Sequence, residues 1–412
     1  MAVNVNFTIM KMSVFSNKSV IYVFKKKIVD IFHKIRKNRN PYLLYIRSYL
    51  SYVIKKVRLT KKSKINHNII SKYEEQVKCF KHELYQFSYV HTDSVGIFIN
   101  TYLNEPVIPI KILPLPSKNE PILLCLVKND IERIKLQVEY HRKIGIKHFA
   151  YIDNISDDGT FEWLKKQGDI SLFVANGIYN NVKQRAWNRQ VTDIFGYDRW
   201  YLMLDSDELF MYPGVEKKKM NDFVIFLEMN KINNVFSPII DMYSDDKLFA
   251  EDENSHDIFS KYCYFDTDTY KKAKSCSRYI VNGGPRARLF LEKNDSFRWA
   301  LEKYALVKLS KEMMIGAHQN YPYKYSFGTN GAIAFLLHYQ FLPGDHEKYK
   351  AFIVSKIHVN GSEGYKKYMD KFEQNPNLSF YYSGSQKLKN SMDLLKINIA
   401  DKIFLGKFVD DS

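Results

Sequence analysis

The feature that most constrains the fold of this chain is a regular alternation of short apolar runs and helical patterns between residues 122 and 208. Four runs have the length and composition of buried strands: 122–127, 147–152, 170–175 and 200–204. Three segments between them carry apolar residues at helical spacing: 131–144, 161–166 and 182–195. This alternation predicts an α/β fold with a doubly wound mixed sheet and helices on both faces.

The remainder of the chain divides into regions by composition. Further strands are predicted at residues 235–243, 278–290 and 332–341, and further helices at 346–359 and 362–372. Five prolines between 106 and 121 mark a connecting segment. We therefore predict a basic amphipathic helical region at 1–72, a connecting segment at 73–120, the α/β domain at 121–345 and a helical C-terminal portion at 346–412.

The net charge of +17 is concentrated at the N-terminus, where residues 1–72 hold seventeen Lys or Arg and one acidic residue. Basic and apolar residues alternate there at helical spacing, as in helices that lie on an anionic membrane surface. A helical cap on the main domain is an equal alternative. The nearly neutral body has no nucleic-acid recognition motif, so no nucleic-acid partner is expected. No apolar run is long enough for a transmembrane helix, which favours a cytoplasmic protein peripheral to the membrane.

Asp205, Ser206 and Asp207, which we call the acidic turn, directly follow the apolar run at 200–204. Two carboxylates at this spacing can share one divalent cation, and their hard oxygen atoms suit Mn²⁺ or Mg²⁺. Such a cation would neutralise the diphosphate that leaves a nucleotide sugar. In a doubly wound sheet, ligands bind at the carboxyl ends of the strands, where this turn is predicted. A solvated turn without a ligand is the alternative.

Polar residues also follow the first two predicted strands, with Asn129 after the first and both Asp153 and Asp157 after the second. The Asp153 carboxylate could accept hydrogen bonds from the base or ribose of a nucleotide, or it could form an Asx turn before the next helix. Three polar residues share one face of the third predicted helix: Gln184, Arg185 and Asn188. That face either lines a nucleotide pocket or faces solvent.

Two histidines are candidates for the same site. His338 ends an apolar run and is either a third metal ligand, since Mn²⁺ accepts imidazole, or a core histidine. His318 is a ligand, an acid–base group or a surface residue. Four basic residues on predicted strands either offset phosphate charge or are ordinary surface charge: Arg286, Arg288, Lys303 and Lys308.

Several of these segments together resemble a known family. The matching blocks are residues 125–160, 205–210, 283–290, 303–308, 318 and 337–341. They are similar to blocks of the bacterial family-two-like glycosyltransferases of the DUF23-related group, which have a GT-A fold. The resemblance covers roughly residues 121–385. Two positions depart from the pattern of the family, because Ser206 replaces an apolar residue and Asp130 replaces a glutamate.

The resemblance implies transfer of a sugar, with inversion, from a nucleotide-sugar donor to a glycan or lipid-linked acceptor. A UDP-sugar is the favoured donor, and the implied setting is the synthesis of a cell-surface polysaccharide such as capsule, lipopolysaccharide or exopolysaccharide. It further implies that Asp153 contacts the nucleotide. Asp205 and Asp207 would serve the donor and the metal, and His338 would be the third metal ligand.

An inverting transfer also needs a general base for the acceptor hydroxyl. The candidates are Glu208, Asp241 and His318, of which we prefer Asp241. A sugar nucleotidyltransferase would share the fold, although residues 127–130 lack the glycines of its phosphate loop. A non-enzymatic protein that binds anionic surfaces or nucleic acid would account for the basic charge. An inactive scaffold would account for the fold, but the intact acidic turn and His338 argue against it.

Overall fold

The computed structural model describes residues 94–250, 258–274, 279–311, 313–315, 318, 320–321, 332–356 and 359–410. The protein divides into two compact units, Met1–Gly96 and Ile97–Ser412, and nearly all described residues belong to the second. The basic region predicted at 1–72 lies outside the described residues. The predicted boundaries at 72, 120 and 345 stay predictions. No helix in the described ranges is both long and apolar enough to cross a membrane.

Helices and strands alternate between residues 122 and 204, whereas later strands such as Glu208–Met211 directly follow another strand. The helices are α1 (Ser94–Asn104), α2 (Ile131–Lys143), α3 (Thr160–Lys166), α4 (Asn181–Phe195), α5 (Met220–Met229), α6 (Ile258–Lys261), α7 (Gly284–Phe290), α8 (Asp345–Ser355), α9 (Val359–Gln374) and α10 (Lys402–Asp410), with a 3₁₀ helix at Ser391–Lys396. The strands are β1 (Ile108–Lys111), β2 (Ile122–Val127), β3 (His148–Asp153), β4 (Ile170–Val174), β5 (Arg199–Leu204), β6 (Glu208–Met211), β7 (Asn234–Val235), β8 (Ile239–Asp241), β9 (Tyr264–Phe265), β10 (Lys271–Lys274), β11 (Tyr279–Asn282), β12 (Leu306–Leu309), β13 (Met314–Ile315), β14 (Asn320–Tyr321), β15 (Phe335–His338) and β16 (Gln386–Lys387).

Seven strands form the main sheet in the order β1-β4-β3-β2-β5-β12-β7. The four central strands, β4, β3, β2 and β5, are parallel. The outer pairings of β1, β12 and β7 are antiparallel. The strands that follow β2 in the chain lie first on one side of it and then on the other, so the strand order reverses between β2 and β5. The predicted α/β class with a mixed sheet is confirmed.

Successive side chains of the central strands enter two separate apolar cores. On one face, Leu123 and Cys125 pack in a cluster with Ile134 of α2. On the other face, Leu124 packs in a cluster with Trp187 of α4. Because side chains alternate along a strand, a continuously apolar strand requires cover on both faces. Each fully buried side chain of this size stabilises the fold by about 1.5–3 kcal/mol. The predicted helices on both faces are confirmed.

A smaller sheet contains β6, β15 and β8, with β15 antiparallel to β6 and parallel to β8. The chain leaves the main sheet at the end of β5, passes through the acidic turn and enters this second sheet as β6. The register places His338 opposite both Glu208 and Asp241. The acidic turn is therefore the junction of the two sheets.

The strand predicted at 278–290 is wrong in its second half, because α7 occupies those residues. Gly283 has a φ of 97°, which ends the extended conformation, and Pro285 lies in the first turn of the helix. The fixed φ of proline suits that position. Arg286 and Arg288 consequently lie on a helix and not on the predicted strand.

The strand predicted at 235–243 is interrupted, and only β7 and β8 form ladders within it. Ser237 and Pro238 separate the two, and proline cannot donate a ladder hydrogen bond. The helices predicted at 346–359 and 362–372 are confirmed as α8 and α9, which are displaced at their ends by a few residues. Both pack with α7 in a third, aromatic-rich core around Phe341.

Candidate functional site

The acidic turn lies at the carboxyl edge of the main sheet, where the strand order reverses. Leu204, the last residue of β5, is paired with Cys125 of β2. The side chain of Gln137 on α2 donates hydrogen bonds to the carbonyl oxygens of Asp205 and Glu208, at 2.7 and 2.9 Å. Ligands of doubly wound sheets bind in the crevice at this position. The fold thus places the acidic turn where such a ligand would lie.

His338 lies between two carboxylates. Its Nε2 is 3.2 Å from Oδ2 of Asp207, and its Nδ1 is 2.7 Å from Oδ1 of Asp241. The other oxygen of Asp241 accepts a hydrogen bond from Nε of Arg286 at 2.8 Å. Asp241 and Arg286 are buried, whereas the side chain of Asp207 is 26% exposed. These four side chains form a row, here called the histidine row, which is accessible at the Asp207 end.

The charges of the histidine row set its pKa values. Burial acts to lower the pKa of His338, but the charge of Asp207 and the hydrogen bonds to Asp207 and Asp241 outweigh burial and raise it to about 9. Burial acts to raise the pKa of Asp207, but His338 holds it well below its usual range. The pKa of Asp241 is lowered against burial by Arg286 and His338. At neutral pH the row therefore alternates negative and positive charges.

Asp205 and Glu208 share a different cation. Lys303 Nζ lies 2.9 Å from Oδ2 of Asp205 and 2.6 Å from Oε2 of Glu208. Burial acts to lower the pKa of Lys303, but the two carboxylates outweigh it and raise it. Burial raises the pKa of Glu208 to about 7 despite the nearby lysine. Glu208 and Lys303 are buried, so Asp205, with a side chain 43% exposed, is the accessible member of this lysine cluster.

Asp207 and His338 are the two predicted metal ligands that lie against each other. In the described part of the chain, no three His, Cys, Asp or Glu side chains form a group that could hold a metal ion. However, Asp241 holds Nδ1 of His338 and leaves Nε2 facing Asp207, as carboxylates do behind metal-binding imidazoles. Once Nε2 of His338 has released its proton, Asp207 and His338 could together hold a Mn²⁺ or Mg²⁺ ion whose other ligands would be phosphate oxygens and water.

Asp153 ends β3, the strand next to β2 in the main sheet. Its Oδ1 accepts the backbone N–H of Ser156 at 2.9 Å, so the Asx turn considered from the sequence is present. Its Oδ2 is buried and has no hydrogen-bond partner among the described residues. A buried polar atom without a partner costs about 1–3 kcal/mol, and a bound donor group would remove that cost.

Asn129 and Asp157 bind each other at the same edge of the sheet. Asn129 Nδ2 donates to Oδ1 of Asp157 at 2.6 Å, and the backbone N–H of Asp157 donates to Oδ1 of Asn129 at 2.9 Å. The backbone N–H of Asn129 also donates to Oγ of Ser156 at 3.0 Å. The loops that follow the neighbouring strands β2 and β3 are thereby joined at the carboxyl edge of the main sheet.

The polar face of α4 is buried, so the alternative that it faces solvent is wrong. Gln184, Arg185 and Asn188 are each less than a tenth exposed. Gln184 Nε2 donates to Oδ1 of Asp205 at 3.3 Å, and the hydroxyl of Tyr179 donates to Oε1 of Gln184 at the same distance. Asn188 Oδ1 is buried without a partner in the described ranges. Gln184 therefore joins this buried face of α4 to the acidic turn.

His318 lies near the lysine cluster. Its Nδ1 is 3.0 Å from the carbonyl oxygen of Glu302, the residue before Lys303. Because a carbonyl oxygen only accepts, Nδ1 carries the proton and Nε2 of the neutral ring is an acceptor. Burial and the charge of Lys303 lower the pKa of His318 to about 4. The imidazole is therefore neutral at pH 7.

Two of the four basic residues considered from the sequence belong to this region. Lys303 neutralises the lysine cluster and Arg286 ends the histidine row. Arg288 pairs with a different acid, as does Lys308. The sequence interpretation missed Arg133 of α2, whose Nε donates to a backbone carbonyl 206 residues further along the chain. No local pattern marks a residue with such distant partners.

No protein-family model and no curated protein matches the chain. Solved structures with some likeness include a mannosyltransferase from Pyrobaculum calidifontis in complex with GDP-Man and Mn²⁺, at 15% identity and a TM-score of 0.23 over 38% of this chain and 46% of that one. Residues 1–349 of S. aureus TarS show 11% identity and a TM-score of 0.28 over 62% and 72%. HddC from Yersinia pseudotuberculosis shows 12% identity and a TM-score of 0.26 over 54% and 90%. The chain spans less than half of the mannosyltransferase.

Proposed function

We propose that the unit Ile97–Ser412 is a metal-dependent glycosyltransferase of GT-A type that moves a sugar from a nucleotide-sugar donor to a glycan or lipid-linked acceptor. The observation that carries the proposal is the histidine row. It presents Asp207 and Nε2 of His338 together at the edge of the sheet where the strand order reverses. The carboxylate of Asp153 at the end of β3 has a buried oxygen without a partner among the described residues, which supports a nucleotide as the ligand of this edge.

Asp207 and His338 would hold the cation, with Asp241 as the positioning residue behind the imidazole. The bound cation would offset the negative charge that develops on the leaving diphosphate. Asp241 is less suited to the role of general base preferred from the sequence. Its side chain is 1% exposed, and its two oxygens are already bonded to His338 and Arg286.

The donor would lie along the carboxyl edge of β2 and β3. Oδ2 of Asp153 would accept a hydrogen bond from a ribose hydroxyl or from an N–H of the base, because it is buried and without a partner among the described residues. Gln184, Arg185 and Asp205 would line the same pocket, since Gln184 already bonds Asp205. Asn129 and Asp157 would close its outer side through their mutual hydrogen bonds.

We assign the general base to His318. Glu208 is less suited to this role, because its carboxylate is buried. Its Oε2 already accepts hydrogen bonds from Lys303 and from the backbone N–H of Asp205. His318 keeps Nε2 as an acceptor in its neutral ring. The acceptor hydroxyl would lose its proton to that nitrogen while its oxygen forms the new bond at the anomeric carbon. The bond from the anomeric carbon to the nucleoside diphosphate breaks in the same step, with inversion.

The decisive experiment is a panel of nucleotide sugars incubated with the protein and Mn²⁺, with and without EDTA, with release of nucleoside diphosphate as the readout. We expect metal-dependent release from one donor, lost by more than ~100-fold in Asp207→Asn, because losing a ligand exceeds the effect of its supporting shell. Asp169→Asn is the matched control. It breaks a salt bridge to Arg142 before β4, at the opposite edge of the sheet. Release that is insensitive to EDTA would overturn metal dependence.

A second arm of the panel separates the alternative enzyme class. A sugar nucleotidyltransferase would release pyrophosphate from a nucleoside triphosphate and a sugar 1-phosphate. Pyrophosphate release at a higher rate than transfer would therefore replace our proposal with that one. Absence of binding to every donor, with and without Mn²⁺, would favour a scaffold without activity.

We also propose that residues 1–72 hold the enzyme on an anionic membrane surface, where lipid-linked acceptors lie. The support is their charge, seventeen Lys or Arg against one acid, since each such residue contributes about 1 kcal/mol at an anionic leaflet. The test is sedimentation with vesicles that contain or lack anionic lipid. Equal binding by the full chain and by a chain that lacks residues 1–72 would contradict this role.

A further inference from the structure

Ser206 and Asp130 are hydrogen-bonded to each other, although 76 residues separate them in the chain. Oγ of Ser206, the middle residue of the acidic turn, donates to Oδ2 of Asp130. Asp130 is the residue immediately before α2, and its carboxylate is buried. The bond therefore joins the centre of the acidic turn to the beginning of a helix that packs on the main sheet.

The other oxygen of Asp130 is held by two cations. Arg133 Nη1 lies 3.0 Å from Oδ1, and Lys348 Nζ of α8 lies 3.3 Å from the same atom. Arg133 is itself fixed, because it pairs with Asp345 and its Nε donates to the carbonyl oxygen of Tyr339 at 2.8 Å. Asp130 consequently cannot rotate freely, so it offers Ser206 an acceptor at a defined position.

The backbone on either side of Ser206 is also held. Gln137 binds the carbonyl oxygen of Asp205, and the carbonyl oxygen of Asp207 accepts the backbone N–H of Tyr339 at 2.9 Å. The backbone N–H of Glu208 donates to the carbonyl oxygen of Asp205 at 3.2 Å, so residues 205–208 form a turn. The hydrogen bond of Ser206 fixes the centre of this turn, between the two carboxylates that meet Lys303 and His338.

We propose that Asp130 and Ser206 are positioning residues that aim Asp207 at the metal. Two residues of α8 hold Asp130, Lys348 by direct contact and Asp345 through Arg133. The orientation of Asp207 therefore also depends on α8 of the C-terminal portion. This inference rests on the proposed function. Asp130 and Ser206 act on the geometry of the acidic turn and take no part in the chemical step.

The test measures Mn²⁺ binding by electron paramagnetic resonance titration of the full-length protein with the metal alone. We expect Ser206→Ala and Asp130→Asn each to weaken Mn²⁺ binding by roughly 10-fold, within the 10–100-fold range for groups that orient metal ligands. Ser206→Thr keeps the hydroxyl and should bind as wild type does. The double variant should be no weaker than Ser206→Ala, because that substitution already removes the hydrogen bond through which Asp130 acts on the turn.

Steady-state kinetics with the donor found in the panel separates metal affinity from folding. Partial unfolding lowers the maximal rate but leaves the Mn²⁺ concentration at half-maximal rate unchanged. The Mn²⁺ concentration for half-maximal rate should rise in both single variants, while the rate at saturating Mn²⁺ should stay within ~3-fold of wild type. Asp169→Asn breaks the salt bridge to Arg142, a residue of α2, and should change neither quantity. Ser206→Ala removes a single oxygen atom, so it remains informative where Asp130→Asn folds poorly.

The outcomes separate the inference from the proposed function. Wild-type protein that binds neither Mn²⁺ nor any nucleotide would overturn the proposed function and this inference with it. Wild-type binding that is unchanged in Ser206→Ala and Asp130→Asn would overturn the inference alone. Effects of the two substitutions that multiply in the double variant would show that the residues act separately, which also contradicts it.

Discussion

Asp205 and Asp207 lie two residues apart in one turn, yet they face different cations. Asp205 meets the ammonium of Lys303 in the lysine cluster, whereas Asp207 meets the imidazole of His338 in the histidine row. A lysine in this setting stays charged and bonded to its carboxylates. An imidazole can exchange its proton for a metal ion. Two identical side chains thus differ in their chemistry because the fold places a different cation beside each.

The largest expected effect comes from removing the cation of the lysine cluster. Lys303→Met should lower the free energy of unfolding by about 3 kcal/mol, because it leaves Glu208 buried without its partner. Glu208 can relieve part of this cost by taking up a proton, which places the loss at the low end of the ~3–5 kcal/mol range for buried pairs. Denaturant titration measures it.

Lys308→Met is the matched control, since Lys308 pairs with Glu228 where the two side chains are 32% and 26% exposed. It should cost no more than ~1 kcal/mol. Equal losses in the two variants would mean that the lysine cluster is no more important to stability than a surface pair.

Substitutions in the histidine row should change Mn²⁺ binding more than they change the free energy of unfolding. His338→Gln should weaken Mn²⁺ binding by more than ~100-fold, because it removes the nitrogen that faces Asp207. Nucleotide binding without metal should remain within a few-fold of wild type, as Asp153 is unaffected. Isothermal titration with Mn²⁺ and then with the donor separates the two. Mn²⁺ binding equal to wild type would place the metal elsewhere and end the contrast between the two carboxylates.

Asp241→Asn tests the buried end of the same row. The substitution weakens the hold on Nδ1 of His338, so we expect a loss in Mn²⁺ affinity of roughly 10–100-fold. A loss of this size, smaller than that of His338→Gln, would sharpen the distinction between a ligand and its positioning residue. If Asp241 were instead the general base, the rate at saturating Mn²⁺ would fall while metal affinity stayed unchanged.

The smallest expected effect is the pH dependence of stability that comes from His141, whose ring nitrogens contact backbone atoms. His141 is fully buried, with Nδ1 2.6 Å from the carbonyl oxygen of Gln137 and Nε2 accepting the backbone N–H of Phe210. Burial lowers its pKa to about 3, so folding favours the neutral ring. The contribution of His141 to the free energy of unfolding is therefore fully present above the unfolded-state pKa of about 6.5. It is lost progressively as pH falls below that value.

From pH 7.5 to 5.5 this histidine alone should lower the free energy of unfolding by about 1.4 kcal/mol. Chemical denaturation of wild type and His141→Gln at both pH values gives the difference, since Gln does not titrate. The variant should lose less stability over this interval by that amount. Identical losses in the two proteins would mean that His141 is protonated in the fold as easily as outside it.

Residues 122–208 could be interpreted from the sequence because their signals are local. The run predicted at 122–127 is β2 itself, and the helix predicted at 182–195 begins one residue from α4. The same residues also place the acidic turn at a strand end. Where Gly283 and Pro285 redirect the chain into α7, the apolar spacing alone predicted a strand, because seven residues are too few for a helical period to emerge.

The sequence by itself determined the fold class, the position of the acidic turn and the set of polar residues available at the strand ends. The tertiary structure decided which cation each carboxylate meets. Lys303 reaches Asp205 across 98 residues, and His338 reaches Asp241 across 97. These meetings depend on strand register and on how two sheets join. Such long-range pairings arise from the packing of whole elements, and no short stretch of sequence records them.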